Sequence, residues 1–132
     1  MSNQIISHLE PEDVVGAAQD VSCKPTHPAD ARPVLQPRLQ DEEIERIASI
    51  FKASAHPVRI KILDLIDQGG GEVCSCEIEP FFDLSQPTIS HHLKVLQEAG
   101  LITSEPRGVW VYHKIRPEAV ELLRTHLAQF KI

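Results

Sequence analysis

Cys74 and Cys76 stand two residues apart in the stretch Glu72-Val73-Cys74-Ser75-Cys76-Glu77-Ile78, and one further cysteine, Cys23, lies far upstream. Thiolates select soft ions, so a pair at this spacing is a candidate site for a thiophilic ion. Three cysteines are an odd number, and the N-terminus lacks the basic-then-apolar order of a secretory leader. Reduced thiols in a cytoplasmic protein are therefore expected, not a disulfide framework. Residues i and i+2 inside a helix point about 200° apart, so the pair can share an ion only by straddling a helix start. Gly69-Gly70-Gly71 just upstream permits that geometry, and Pro80 keeps the helix short.

A second set of chemical groups follows within ten residues. Ser85, Gln86, Thr88, Ser90, His91 and Lys94 crowd the start of an amphipathic segment whose apolar stripe is Ile89, Leu93 and Leu96. Ser85 suits an N-cap and Pro87 suits the first turn, where its missing N–H costs little. A helix of this kind can lie in the DNA major groove with its first side chains at base edges. Lys94 and the amides of the helix start can meet phosphates, and Arg107, in the turn Pro106-Arg107-Gly108, can reach the backbone or minor groove. His92 falls beside Ile89 and Leu96 and reads as packed. His8, His27, His56 and His113 have no ligand spacing and read as surface or local hydrogen-bonding residues.

The elements that must position these groups are legible from periodicity. The chain has 132 residues, 42% of them hydrophobic, which suits one small domain with no run able to span a bilayer. Residues 1–40 hold Pro11, Pro25, Pro28, Pro33 and Pro37 and read as an arm, with at most a short helix over Glu10 to Ala18. The remaining residues, 41–132, read as the folded domain. Ile44, Ile47, Ala48 and Phe51 mark a first helix over 41–54, with Asp41, Glu42 and Glu43 where the dipole favours acids. Pro57 opens a second helix with Val58, Ile62, Leu65 and Ile66 inward, and Gly69-Gly70-Gly71 end it. A short third helix near 76–82, a fourth over 86–99, strands at Leu101 to Glu105 and Val109 to Ile115, and a last helix over 117–130 complete the pattern. Val120, Leu123, Leu127 and Phe130 give that last helix a broad apolar face suited to a dimer.

A net charge of −6 would repel DNA at long range, but its distribution is uneven. Between 85 and 116, Lys94, Arg107, Lys114 and Arg116 face only Glu98 and Glu105.

The cysteine stretch followed by Ser85-Gln86-Pro87-Thr88-Ile89-Ser90-His91-His92-Leu93 resembles the ArsR/SmtB family of metal-responsive repressors, over roughly residues 42 to 130. The resemblance implies a mainly α fold with a small β-hairpin, a homodimeric winged helix-turn-helix that binds double-stranded operator DNA. It implies release by trivalent arsenic or antimony on thiolates, with no organic cofactor, no membrane and no enzymatic activity. Arsenite prefers three thiolates in a trigonal pyramid. In the arsenic repressors that this stretch resembles, a third cysteine often stands three positions after the second, where this chain has Glu79. Cys23 is then the only third thiolate, as in relatives whose N-terminal cysteines complete the site, sometimes across the dimer. Seventeen residues separate Cys23 from Asp41, a reach of at most ~60 Å, so either arrangement is accessible. The family's alternative zinc site on terminal helices is not expected, since Glu118, Glu121 and His126 lack an Asp-x-His pair. Competing readings are a sensor of cadmium, lead or an organoarsenical, a thiol redox regulator, or a protein-interaction module.

Overall fold

The computed structural model describes residues 33–132, so Cys23 and the possible Glu10 to Ala18 helix lie outside the described residues. Residues Arg46–Ile132 form one compact unit. Helix α1 (Asp41–Ser54) begins with the three acids and an amide of Gln40 donated to Glu43 Oε2 at 3.2 Å. Helix α2 (Pro57–Gln68) is capped by His56, whose Nδ1 accepts the Val58 amide at 3.2 Å. It stops at Gly69, followed by Gly70 in the left-handed region at φ 72°. Strand β1 (Val73–Cys74), helix α3 (Ser75–Ile78) and a 3₁₀ turn (Glu79–Phe81) lead to helix α4 (Gln86–Glu98). Strands β2 (Ile102–Arg107) and β3 (Trp110–Ile115) and helix α5 (Pro117–Ala128) follow.

The core gathers one face from each element. Ile62 and Ile66 of α2, Ile78 of α3, Ile89, Leu93 and Leu96 of α4, and Leu101, Ile102 and Ala119 are buried together. Each fully buried aliphatic side chain contributes about 1.5–3 kcal/mol relative to exposure. This apolar contact fixes α4 against α2, and with it the direction in which the α4 polar face points. The α4 stripe matches the expected Ile89, Leu93 and Leu96. The α1 stripe differs: Ile47, Ile50 and Ala53 are buried, while Ala48 and Phe51 are exposed. Ile47, Ile50 and Ala53 also recur at helical spacing, and Ile50, unlike Phe51, lies on the side that meets the core.

The β region is larger than a hairpin. The antiparallel sheet has the order β1-β3-β2, with Val73 opposite His113 and Cys74 opposite Tyr112. Two residues are too few to show alternation, which is why β1 is invisible to periodicity. The hairpin is also longer than expected, pairing Pro106 with Val111 and Arg107 with Trp110. Pro106 is tolerated because β2 is an edge strand. Gly108, at φ 64°, is the first of two loop residues, the signature of a II′ turn that suits strand twist. The result is a winged helix-turn-helix: α3 and α4 with a β2-β3 wing.

Candidate functional site

Cys74 and Cys76 do straddle a helix start. Cys74, extended at φ −73° and ψ 146°, is the N-cap of α3, and its Sγ accepts the Cys76 amide at 3.2 Å. Glu77 Oε2 reaches back to accept the Cys74 amide at 2.8 Å. This reciprocal pairing is a capping box with a thiol in the place of the usual hydroxyl. Cys74 is buried and Cys76 exposed, so one sulfur is anchored in the fold and the other opens to solvent. The Cys76 thiol is held above its ordinary range, first by its hydrogen bond with Cys74, then by partial desolvation and the charges of Cys74 and Glu77. A buried and an exposed sulfur at one helix start offer two soft donors of the kind a thiophilic ion takes. Among the described residues, no three His, Cys, Asp or Glu side chains are placed to hold a metal ion. The terminal-helix acids are engaged elsewhere: Glu121 pairs with Arg124 at 2.6 Å and Glu118 with Arg116 at 3.6 Å. His126 lies edge-on to Phe51 and Phe130.

Ser75, between the cysteines, hydrogen-bonds His113 Nε2 at 2.7 Å, and Ser104 of β2 meets Nδ1 of the same ring at 2.8 Å. His113 is only 3% exposed, and burial pushes its pKa down. Sequence reasoning had placed it as a surface or local residue. Strand alternation offered the missing signal: Val111, His113 and Ile115 share one face of β3, and that face is inward.

The candidate reader residues occupy the first turns of α4. Ser85 caps the helix, its Oγ accepting the Thr88 amide at 3.4 Å and lying 2.8 Å from Thr88 Oγ1. Gln86, Ser90, His91 and Lys94 are exposed along the same helix. His92 is buried, as its position implied, and its Nδ1 accepts a hydrogen bond from Arg59 Nη1 at 3.2 Å. Arg59 also donates to the Ala53 carbonyl at 2.6 Å, so one guanidinium ties α1, α2 and α4 together. Burial first, then the charges of His56, Arg59 and His91, lowers the His92 pKa. At the wing, Arg107 is paired with Glu72 at 2.5 Å and Glu105 at 3.1 Å, and lies over the Tyr112 ring at 4.9 Å from its centroid. Glu72, which sequence reasoning gave no role, sits one residue before β1.

Residues 56–104, from the α2 cap through α4 into β2, match the family described as bacterial regulatory protein, arsR family. An uncharacterized HTH-type transcriptional regulator of Methanocaldococcus jannaschii is 39% identical over 80 residues, 61% of this chain and 89% of that protein. The chain belongs to the arsR family of bacterial regulatory proteins. Another relative, the arsenical resistance operon repressor of Bacillus subtilis, is 35% identical over 81 residues, 61% of this chain and 76% of the relative. A homodimeric winged helix-turn-helix DNA-binding domain from Mycobacterium bovis, a possible ArsR-family regulator, superposes with a TM-score of 0.56. That match has 25% identity and covers 73% of this chain and 88% of that one. The arsR-family match contains Cys74, Cys76 and the whole of α4, whereas Arg107 and α5 lie beyond it. Assignment to transcription regulators agrees with the sequence reading. Among the described residues, no helix of this arsR-family chain is long and apolar enough to cross a membrane.

Proposed function

We propose that the chain is a cytoplasmic, homodimeric repressor that holds operator DNA when empty and leaves it when trivalent arsenic or antimony binds Cys74 and Cys76, with Cys23 as third ligand. The observation that carries this reading is the cysteine turn itself. One sulfur caps α3 and the other extends from its first turn, four residues of α3 and a 3₁₀ turn ahead of the reader helix. A relative named for arsenical resistance supports the choice of ion. On the DNA side, Ser85, Gln86, Thr88, Ser90 and His91 are assigned to operator contacts, Lys94 and Arg107 to the phosphates. The dimer is assigned to the open apolar face of α5 and the residues just after it, where Val120, Leu127 and Phe130 are exposed and His126 lies edge-on to Phe51 of α1. Nothing in this scheme calls for an enzyme.

Release is a matter of linkage: the ion must bind the DNA-incompetent conformation more tightly, because equal affinity shifts nothing. The test is a titration of an operator duplex, selected in vitro by the wild-type chain, with arsenite, antimonite, cadmium and lead. Arsenite should weaken DNA binding by about 5–150-fold, the usual span of such coupling. X-ray absorption should show three sulfur neighbours per arsenic, falling to two in Cys23→Ser. A second reading rests on the two sulfurs alone, Cys74 at the cap of α3 and Cys76 exposed in its first turn. In it the inducer is a methylated arsenical, which has two exchangeable positions and needs only Cys74 and Cys76. Release of the wild type by methylarsenite at lower concentrations than arsenite, unaltered in Cys23→Ser, would select it, whereas an unchanged sulfur count and unchanged arsenite release in that variant would show that the pair alone senses.

A further inference from the structure

We propose that His113 is a positioning residue that carries the state of the cysteine turn to the wing, through its paired hydrogen bonds to Ser75 and Ser104. The proposal rests on the reading of Cys74 and Cys76 as inducer ligands. Ser75 is flanked on both sides by those cysteines, so an ion held by both sulfurs bears directly on its position. Its hydroxyl meets His113 Nε2 at 2.7 Å, and the opposite ring nitrogen meets Ser104 at 2.8 Å. His113 lies on β3, the middle strand, so one ring borders both the sensor strand and the wing's edge strand.

A neutral imidazole has one N–H and one lone pair, so one serine must donate to the ring while the other accepts from it. Reversing the bond at Ser75 reverses the bond at Ser104. With the ring 3% exposed, a serine that leaves strands a buried nitrogen, at a cost in free energy. The two hydroxyls therefore move as a unit. A second link runs in parallel along the backbone: Cys74 is paired with Tyr112, and the Tyr112 ring carries the Arg107 guanidinium at 4.9 Å. Displacement of the cysteine turn thus reaches the wing at Ser104 by way of the ring, and at Arg107 by way of the strand.

The experiment compares full-length Ser75→Ala, Ser104→Ala, Ser75→Thr and Ser104→Thr with wild type and with Cys74→Ser. Three quantities are measured: thiols protected by arsenite, the ratio of DNA affinities without and with arsenite, and the fluorescence of Trp110. Trp110 is the chain's single tryptophan and stands on the wing at the start of β3. Both alanine variants should protect the same number of thiols as wild type, yet show an affinity ratio at least about threefold smaller than wild type and a reduced arsenite-dependent change at Trp110, the remainder being carried by the strand. Both threonine variants, which keep the hydroxyl, should restore the wild-type ratio. A role in folding alone would lower DNA affinity in both states and leave the ratio unmoved. Wild-type ratios in both alanine variants overturn the relay, provided Cys74→Ser has lost its response. A full response in Cys74→Ser instead overturns the cysteine site, and the relay with it.

Discussion

Arg107 Nη2 lies 2.5 Å from Glu72 Oε2, so the cation at the end of the wing strand is paired with the acid that precedes the cysteine strand. The wing's candidate phosphate contact is thus already paired with an acid. Both side chains are well exposed, at 47% and 37%, so solvent screens the pair and its loss should leave stability nearly unchanged. Its effect belongs to DNA binding. Glu72→Gln should tighten binding to operator and random duplexes alike and steepen the dependence of log K on log salt by about one phosphate contact. An unchanged slope in fluorescence anisotropy titrations would mean that Arg107 does not reach the backbone.

Helix α4 should behave differently from the wing. Gln86 and Ser90 are exposed on the first turns, where side chains of a recognition helix meet base edges. Gln86→Ala or Ser90→Ala should cost about 1–3 kcal/mol on operator DNA and little on random DNA, whereas Arg107→Ala should weaken both. Equal losses on the two duplexes for all three variants would remove the assignment.

Much of this arrangement is legible in the sequence because period and punctuation agree. The α4 stripe of Ile89, Leu93 and Leu96, the Ser85 cap and the glycines after α2 each carry a local signal, and all appear in the fold. What escaped is nonlocal. Strand β1 is two residues long and exists because β3 passes beside it, so no window of sequence contains its cause. The same holds for Glu72, whose partner lies 35 positions away, and for His113, joined to a serine at a separation of 38 residues. In α1, two overlapping helical stripes were available, and only packing against the core decides for Ile50 over Phe51.

The face that α1 leaves open bears on assembly. Leu127 is 53% exposed, next to an aromatic run of Phe51, His126 and Phe130, whereas Leu123 is partly buried against the core. Leu127→Asp should therefore leave the protomer folded but place an unpaired charge in the proposed interface, at a cost of several kcal/mol. Sedimentation at micromolar concentration should show a monomer with an unaltered far-ultraviolet circular dichroism spectrum. A full dimer would place the interface elsewhere.

Two buried histidines predict an acid-sensitive fold. His113 and His92 both have pKa values lowered from 6.5, in each case chiefly by burial. The unfolded chain takes up protons near 6.5 while the folded chain resists them, so their contribution is complete above that value and is lost as pH falls through it towards the folded values. At fixed protein concentration, the urea midpoint should fall between pH 7.5 and 5.5. His113→Gln should be less stable at pH 7.5 but show a shallower fall. A midpoint independent of pH over this window would mean that neither ring stays neutral in the folded state.

The cysteine pair should distinguish its candidate inducers by their proton balance. Cys76 is held above the usual thiol range, so it carries its proton at neutral pH. A cadmium ion must displace that proton, so each thiol proton released makes affinity rise about tenfold per pH unit. Arsenous acid behaves differently: each As–OH condenses with an S–H to give As–S and water, and no net proton is released. Between pH 6.5 and 8, cadmium affinity should therefore climb steeply while arsenite affinity stays nearly flat. Serine makes a good N-cap, so Cys74→Ser should retain the cap of α3, with operator binding intact, while removing the soft ligand. Cys74→Ala should lose the cap as well, at about 1 kcal/mol. Arsenite should then fail to release DNA from either variant, whereas the loss of stability should appear only in Cys74→Ala. Undiminished release by arsenite from Cys74→Ser would show that the inducer does not use this thiol.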